Sequence, residues 1–344
     1  MAGSAWSRAI GIVGAAGWLA CAASAGAADY KLTILHVNDL QARLQPVTAT
    51  GASCTPADVS ARQCAGGVAR LAARIAAEKA TAANVVVVDA GNSLTGSTFY
   101  DQHKERALSE TMNLVGFDAM TVGDREFVDG TQLLSRFQEA VKFPLLGANI
   151  DVQHDPYMKD RIYPILVTDR GGDRIALIGY SSEHLIELAK PTGVVYVQKI
   201  EAALKFWVQQ VQMMGVNKII AVSHAGLERD REVATSVAGI DVIVGSAVGA
   251  PNGAPAKEAA HYPMVLKGVG GQPVLLVHAD QYGRSLGRLD VTFDAKGVPH
   301  HWTGGTIELT DASAEDARLR DLVASLAPST AALPAPAPTP TAVR

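Results

Sequence analysis

The sequence has 344 residues, of which 48% are hydrophobic and 19% charged, and its formal net charge is −4 at pH 7. A chain of this length and composition can bury a substantial core, which excludes an intrinsically disordered protein. The charge is small and no long Lys- or Arg-rich block is present, so we expect neither a nucleic-acid partner nor an anionic membrane surface.

The N-terminal segment has the pattern of a secretory signal peptide. Arg8 precedes an apolar stretch over residues 9–23, and small residues follow it. This stretch is shorter than the roughly 20 apolar residues of a membrane-spanning helix. We therefore predict that residues 1–28 are a signal peptide cleaved near Ala27 or Ala28. The mature protein is then periplasmic or secreted and has no membrane span.

Three cysteines are present. A lipoprotein anchor at Cys21 is an alternative to simple cleavage, although Trp18 stands where such a site carries a small aliphatic residue. If Cys21 leaves with the signal peptide, Cys54 and Cys64 remain in a loop-like stretch. An even pair in an oxidising compartment favours a disulfide. A metal site is the alternative, but this stretch has no further Cys or His to complete one.

Short β-branched runs alternate with longer helical patterns along the chain. Strands are predicted at 31–37, 84–89, 119–122, 143–148, 174–178, 218–223 and 241–245. Helices are predicted at 67–80, 108–115, 131–141, 200–214 and 230–238. Strands that alternate with helices of about 10–15 residues predict βαβ units and a largely parallel sheet.

The pattern changes after Pro263. Three short runs at 264–268, 273–279 and 285–294 have turn signals between them and are predicted to form an antiparallel pack at one edge. From about Pro328 the chain is rich in Ala and Pro, a composition that buries too little apolar surface to become ordered. The prediction is one domain over residues 29–327 and a disordered tail over 328–344.

Polar or glycine-rich residues follow five of the predicted strands. The loops at the carboxyl ends of parallel strands form the site in sheets of this kind. Asp39, Asn92, Asp124 and His224 stand in such loops, and each has an oxygen or nitrogen that can bind a cation. The structural alternatives are turn residues for Asp39 and Asn92, a surface ion pair between Asp124 and Arg125, and a buried core histidine for His224.

The same loops resemble the motifs of bacterial 5′-nucleotidases and the related cyclic-nucleotide phosphodiesterases. The family patterns are L-H-T-N-D-x-H-G, G-D-x-x-x-G, G-N-H-E-F-D-x-G, T-H-x-G and G-G-H-S-H-T. The matching segments here are LHVNDLQA, GNSLTG, GDREFVDG, SHAG and GSAVGA, in the same order between Tyr30 and Leu326. The resemblance implies an α/β fold, the calcineurin-like metallophosphatase sandwich of two mixed β-sheets flanked by helices.

The family hydrolyses phosphate esters with two metal ions, which a carboxylate bridges, and a nearby His steadies the developing charge. Carried over by position, Asp39 and His224 agree with the family's ligands. Gln41 replaces a ligand His, Asn92 replaces the bridging Asp, and Asp124 replaces a ligand Asn. An amide binds transition metals less well than imidazole and cannot bridge two cations as a carboxylate does.

Three further positions of the family's site also differ. Arg125 stands where the family has its catalytic His, and Ala247 and Gly249 stand where it has two more His ligands. The resemblance therefore implies a degenerate site, with no cofactor or one weakly bound divalent metal, Mn or Zn. Family members also have a C-terminal domain that binds the nucleobase. A disordered tail in its place would leave nucleotide specificity in doubt.

Two functional hypotheses follow. The first is a catalytically inactive or strongly impaired family member that binds a small anionic ligand or a periplasmic protein. The second is a hydrolase of phosphoesters or sulfur esters with one metal ion or a remodelled site, in which Arg125 binds a phosphate or sulfate oxygen. A metal-free anion binder is a further alternative to both.

Overall fold

The computed structural model describes residues 29–246 and 262–327. The predicted signal peptide, Ala247, Gly249 and the predicted tail lie outside these residues. The described chain forms two large mixed sheets and a two-stranded ribbon. The sandwich of mixed sheets flanked by helices confirms the fold expected from the resemblance.

The first sheet has seven strands. In spatial order they are β15 (Pro299–Glu308), β14 (Ser285–Phe293), β1 (Tyr30–Val37), β2 (Val85–Asp89), β3 (Ala119–Thr121), β4 (Leu145–Leu146) and β6 (Ile162–Tyr163). Strands β1, β2, β3, β4 and β6 are parallel to their neighbours in this run, and β14 is antiparallel to both β1 and β15. The carboxyl ends of β1, β2 and β3 therefore meet at one edge.

The second sheet has six strands. In spatial order they are β12 (Met264–Lys267), β13 (Pro273–Val277), β11 (Val242–Val244), β10 (Ile219–His224), β8 (Asp173–Ser181) and β7 (Ile165–Arg170). The four inner strands are parallel and the two edge strands are antiparallel to their neighbours. The ribbon pairs β5 (Ile150–Asp151) with β9 (Tyr196–Val197).

Helices cover the outer faces of both sheets. In the described residues they are α1 (Pro56–Ser60), α2 (Val68–Thr81), α3 (Thr98–His103), α4 (Glu105–Val115), α5 (Thr131–Ala140), α6 (Leu185–Ala189), α7 (Ile200–Met213), α8 (Leu227–Ser236) and α9 (Ala317–Leu326). Short 3-10 helices span Asp124–Glu126 and Gln281–Gly283. None of these helices is long and apolar enough to cross a membrane.

Strand β2 shows why the apolar runs of the sequence become central strands. Val86 and Val88 face the core between the two sheets, whereas Val87 faces the core under the helices, and all three are fully buried. Burying a side chain of this size stabilises the fold by roughly 1.5–3 kcal/mol. A strand buried on both faces therefore has no polar alternation, as the sequence predicted.

The prediction that the three runs after Pro263 form one antiparallel pack is wrong. β12 and β13 belong to the second sheet, where β13 is parallel to β11, whereas β14 belongs to the first sheet beside β1. Each strand has its own local pattern, since PVLLV in β13 is apolar throughout and SLGRLDVTF in β14 contains polar residues. The sheet that it joins depends on long-range pairing, which the local pattern does not contain.

Candidate functional site

The predicted site residues lie at one rim of the sandwich. Asp39 follows β1, Asn92 follows β2, Asp124 follows β3, and His224 ends β10 of the second sheet. The backbone N–H of Asp39 donates to the Gly91 carbonyl oxygen at 2.9 Å, which ties the first two loops together. The structure thus brings the four candidate ligands of both sheets into one place.

Asn92 and Asp124, the two positions at which amide and carboxylate are exchanged relative to the family, contact each other directly. The Asn92 Nδ2 group donates to Asp124 Oδ1 at 3.1 Å. The Asn92 Oδ1 atom accepts from the Arg125 backbone N–H at 2.9 Å. Both ends of the amide are therefore used inside the site. The φ angle of Asn92 is 58°, a left-handed conformation that Asn adopts at small cost.

The His224 side chain is buried, and its two ring nitrogens have different environments. Nδ1 lies 2.7 Å from the Ala90 carbonyl oxygen, which can only accept, so Nδ1 carries the hydrogen. Nε2 has no hydrogen-bond partner in the described structure, and it lies 3.7 Å from Asp124 Oδ1 and 4.0 Å from Asp39 Oδ1. A lone pair that faces two carboxylates fits a proton or a cation between them.

The donor distances at His224 are longer than those around a bound ion. Donor atoms bound to one ion at about 2.1 Å lie roughly 3.0–3.4 Å apart, less than the 3.7 and 4.0 Å found at His224. In the ranges 29–246 and 262–327, no cluster of three or more His, Cys, Asp or Glu is close enough to hold a metal ion. In contrast, the lone pair of His224 Nε2, which has no partner in the described structure, favours a bound cation. A small inward shift of Asp39 and Asp124 toward Nε2 would bring the three donors to the spacing of a single ion.

Two glycines make room for the imidazole of His224. A Cβ on Gly123 would lie 2.6 Å from His224 Cδ2 and 2.3 Å from Asn92 Oδ1. A Cβ on Gly91 would lie 3.1 Å from His224 Nδ1. Since real Cβ atoms essentially never approach below 3.0 Å, Gly123 is needed for this packing. The glycines of the two loops thus position the histidine.

Glu126 is a structural residue of the site that the sequence analysis missed. Its buried carboxylate accepts from the backbone N–H groups of Asn92, Ser93, Leu94 and Gly123, at distances of 2.6–3.1 Å. Burial raises the pKa of Glu126, and the backbone donors oppose that rise. The signal in the sequence is an acidic residue two positions after Asp124, between a strand end and Phe127. Glu126 therefore holds the loop after β2 and the loop after β3 together.

Gln41 and Arg125 stand at the outer side of the rim. The Gln41 backbone N–H donates to the Asn92 carbonyl oxygen at 3.0 Å, so its loop is fixed to the site. A Cβ on Gly96 would lie 3.3 Å from Gln41 Cβ and 3.5 Å from Arg125 Nη1. The guanidinium of Arg125 therefore extends across the rim toward Gly96. Ala247 and Gly249, where the family has His ligands, lie outside the described residues.

The predicted disulfide is confirmed and lies outside this rim. Cys54 and Cys64 are bonded with an S–S distance of 2.09 Å, and α1 lies between them. A cavity of about 350 Å³ lies beside Cys64, and Arg62, Arg284 and Glu308 are among the residues lining it. None of the candidate ligands lines this cavity, so it is separate from the strand-end site.

Comparison with known proteins finds similar sequences and structures, although no family model matches the chain. Rat 5′-nucleotidase is 34% identical over 318 residues, which are 88% of this chain and 54% of the rat protein. A probable 5′-nucleotidase of Treponema pallidum is 34% identical over 79% of this chain and 46% of that protein. The 5′-nucleotidase precursor of Thermus thermophilus superposes with a TM-score of 0.76 at 30% identity, over 86% of this chain and 58% of that one. The chain thus spans about half the length of these relatives.

Proposed function

Since the chain belongs to the 5′-nucleotidase family of calcineurin-like phosphoesterases, we propose that it is a member impaired in two-metal hydrolysis that binds a small anionic ligand. One observation carries this proposal. The neutral Asn92 amide stands where the family pattern has its bridging Asp, and it donates a hydrogen bond to Asp124 at 3.1 Å.

The chemistry of the donors explains why this arrangement opposes a dinuclear centre. Two cations about 3.5–4 Å apart need a shared anionic ligand to offset their repulsion. The Asn92 amide has no charge, and its Nδ2 hydrogen already occupies a lone pair of Asp124. The fixed charge of Arg125 adds Coulomb repulsion against a bound cation and replaces a group that can transfer protons.

A hydrolase with a single ion is the second candidate, and the unpartnered Nε2 of His224 favours it. Nε2 faces Asp124 and Asp39, so these three residues would hold one divalent ion, Mn or Zn. Such an ion would polarise a phosphoester or sulfur ester. The protein's own contribution would then be to place an ester oxygen against Arg125.

Metal analysis and turnover decide between the two. We expect the purified protein to contain less than one equivalent of Mn or Zn by mass spectrometry. We also expect no metal-dependent hydrolysis of bis(p-nitrophenyl) phosphate or 5′-AMP. Stoichiometric recovery of two ions, together with turnover that Asp124→Ala abolishes, would overturn the proposal. One ion with turnover would instead establish the second candidate.

Restoration of the family's ligands provides the matched positive control. The combined variant is Gln41→His, Asn92→Asp, Asp124→Asn, Arg125→His, Ala247→His and Gly249→His. It should bind metal if the loops are otherwise intact, whereas each single reversion should do little, because residues of such a site act as a unit. Strong activity from Arg125→His alone would show that only the catalytic group had been lost.

We also propose that the protein is exported. The Cys54–Cys64 disulfide supports an oxidising compartment, since such bonds are rare where thiols are kept reduced. Intact-mass analysis of protein from the periplasm and medium should find an N-terminus near Ala27 or Ala28 and no free thiol. Uncleaved protein confined to the cytosol, with both thiols free, would contradict export.

A further inference from the structure

Two arginines of the rim lack the ion pairs that most arginines of this protein make. Arg74, Arg136, Arg170, Arg229 and Arg288 each lie within 3 Å of a carboxylate oxygen. Arg43 and Arg125 are partly buried, yet no carboxylate oxygen of the described residues lies within 4.0 Å of either guanidinium. Unpaired charges that are partly removed from water are costly unless a ligand compensates them.

The Arg43 side chain is held in place but keeps donors available. Its Nε donates to the Gly51 carbonyl oxygen at 2.8 Å, and its guanidinium lies 5.7 Å from the centre of the Tyr282 ring. Within the described structure, its Nη groups have no protein acceptor. Burial lowers the pKa of Arg43, and the positive charge of Arg125 lowers it further, whereas Tyr282 and the carboxylate of Asp101 oppose that shift. The charges of Arg43 and Arg125 are therefore near enough to repel each other.

A cleft of about 260 Å³ lies at this position. Residues 43–47, 51–53, 96–99 and Asp101 line it, with Arg43 and Gly96 among them. Gly96 is the wall that the cleft shares with the strand-end site, because Arg125 Nη1 lies 3.5 Å from where a Gly96 Cβ would stand. The guanidinium of Arg43 thus lines the cleft, and that of Arg125 reaches the Gly96 segment that forms part of its wall.

We propose that Arg43 and Arg125 hold a tetrahedral oxyanion, a phosphate or sulfate group, at the mouth of this cleft. The organic part of the same ligand then lies between the two segments. This inference rests on the proposed ligand-binding function and names the ligand class. Guanidinium groups match such oxyanions through paired N–H donors, and two of them offset a dianion.

The walls of the cleft restrict the organic part. Leu44, Pro46 and Phe99 supply apolar surface, Ser53 and Thr98 supply hydroxyl groups, and Asp101 adds one carboxylate. The volume of about 260 Å³ is just below the range of about 300–1,000 Å³ that is usual for small-molecule pockets. The cleft therefore suits the phosphate or sulfate ester of a short hydroxylated chain better than a nucleotide, whose base would extend into solvent.

Calorimetric titration of the purified protein tests the assignment. The probes are glycerol 3-phosphate, inorganic phosphate, inorganic sulfate and uncharged glycerol, all at low ionic strength. We expect glycerol 3-phosphate to bind and glycerol not to bind. Arg43→Gln and Arg125→Gln should each weaken binding at least about tenfold, which is about 1.4 kcal/mol. Affinity should fall as salt is added.

Arg318→Gln is the matched control, since it removes the same charge from the exposed surface of α9. It should change the affinity less than about twofold, and all three variants should unfold at nearly the same temperature. Arg43→Lys keeps the charge but loses the paired geometry, so it should bind with intermediate affinity. A preference for phosphate over sulfate, or the reverse, identifies the source of the oxyanion and supports the proposal either way.

Two results would overturn this inference. One is the absence of binding of any anion at millimolar concentration. The other is an affinity that Arg43→Gln leaves within about twofold of the unmodified protein. If Arg125→Gln weakens binding and Arg43→Gln does not, the protein binds an anion at the rim. The assignment of the cleft as the binding site is then wrong. The impaired two-metal hydrolysis is judged separately, from metal content and turnover.

Discussion

Replacing Glu126 with Gln should destabilise the protein strongly, because one carboxylate serves four backbone donors. Oε1 accepts from Ser93 and Leu94, and Oε2 accepts from Asn92 and Gly123. A glutamine amide has one acceptor oxygen, so its NH₂ group would face two N–H donors. Each buried donor left without an acceptor costs about 1–3 kcal/mol, which gives about 2–6 kcal/mol in all.

That loss converts into a measurable shift in melting temperature. About 300 folded residues have an entropy of unfolding of roughly 0.6 kcal/mol per kelvin, so we expect Tm to fall by about 3–10 °C. Scanning calorimetry measures it directly. Glu187→Gln is the control, because it removes the same charge at a side chain that is 77% exposed and should shift Tm by less than about 1 °C. An equally small shift for Glu126→Gln would refute the role assigned to this carboxylate.

Two further predictions concern the disulfide and the histidine cradle. Replacing both Cys54 and Cys64 with Ser should lower the free energy of unfolding by about 2–3 kcal/mol, as expected for a loop closed over 10 residues; a loss below about 0.5 kcal/mol in urea titrations would contradict it. Gly123→Ala should push its Cβ into Asn92 and His224 and destabilise the protein by about 1–3 kcal/mol. Gly172→Ala would meet no atom within 4 Å, but its φ angle of 90° would strain the backbone of an alanine. Gly305→Ala, which also meets no neighbour and has no such strain, is therefore the better control, and equal melting temperatures for it and Gly123→Ala would refute the steric argument.

Much of the fold could be predicted because its central strands have distinctive local patterns. The run that became β2 is apolar at every position, since both of its faces are buried. The site rim followed from the rule that parallel strands end at one edge. The assignment of β13 and β14 to different sheets could not be predicted, because long-range pairing sets the neighbours of a strand, although PVLLV in β13 is apolar throughout and SLGRLDVTF in β14 is not.

The candidate site shows the same division between local and long-range information. The exchange of amide and carboxylate at Asn92 and Asp124 is visible in the sequence, but their mutual hydrogen bond is a contact across 32 positions. Arg43 has no local signal, because its partner Gly51 and its approach to the cleft arise from the folding of a loop. Residues that hold a site through backbone contacts, such as Glu126, are therefore the hardest to find from sequence.

The final prediction is a pH dependence of stability that comes from Asp230. Its side chain is fully buried in the first turn of α8. Oδ1 accepts from the Tyr180 hydroxyl at 2.7 Å and from Ser223, while Oδ2 has no partner in the described structure. Burial raises the pKa of this carboxyl to about 7, against about 3.9 in an unfolded chain. The unfolded state therefore releases this proton at lower pH than the folded state does.

The sign of the effect follows from that difference. Between about pH 4 and pH 7 the folded state binds the proton more tightly, so Asp230 lowers stability progressively as pH rises, by up to about 4 kcal/mol. Asp230→Asn removes this titration but places an NH₂ group where Oδ2 lacks a partner, which costs about 1–3 kcal/mol at every pH. We expect the variant to be less stable than the unmodified protein at pH 4 and equal or more stable at pH 8. Urea unfolding at several pH values measures the difference in the free energy of unfolding between the two proteins. The contributions of the other buried carboxyls, Asp89 and Asp241, are the same in both proteins and cancel. A difference that stays flat from pH 4 to pH 8 would mean that Asp230 is ionised in the folded protein throughout, and that Tyr180 and Ser223 offset its burial.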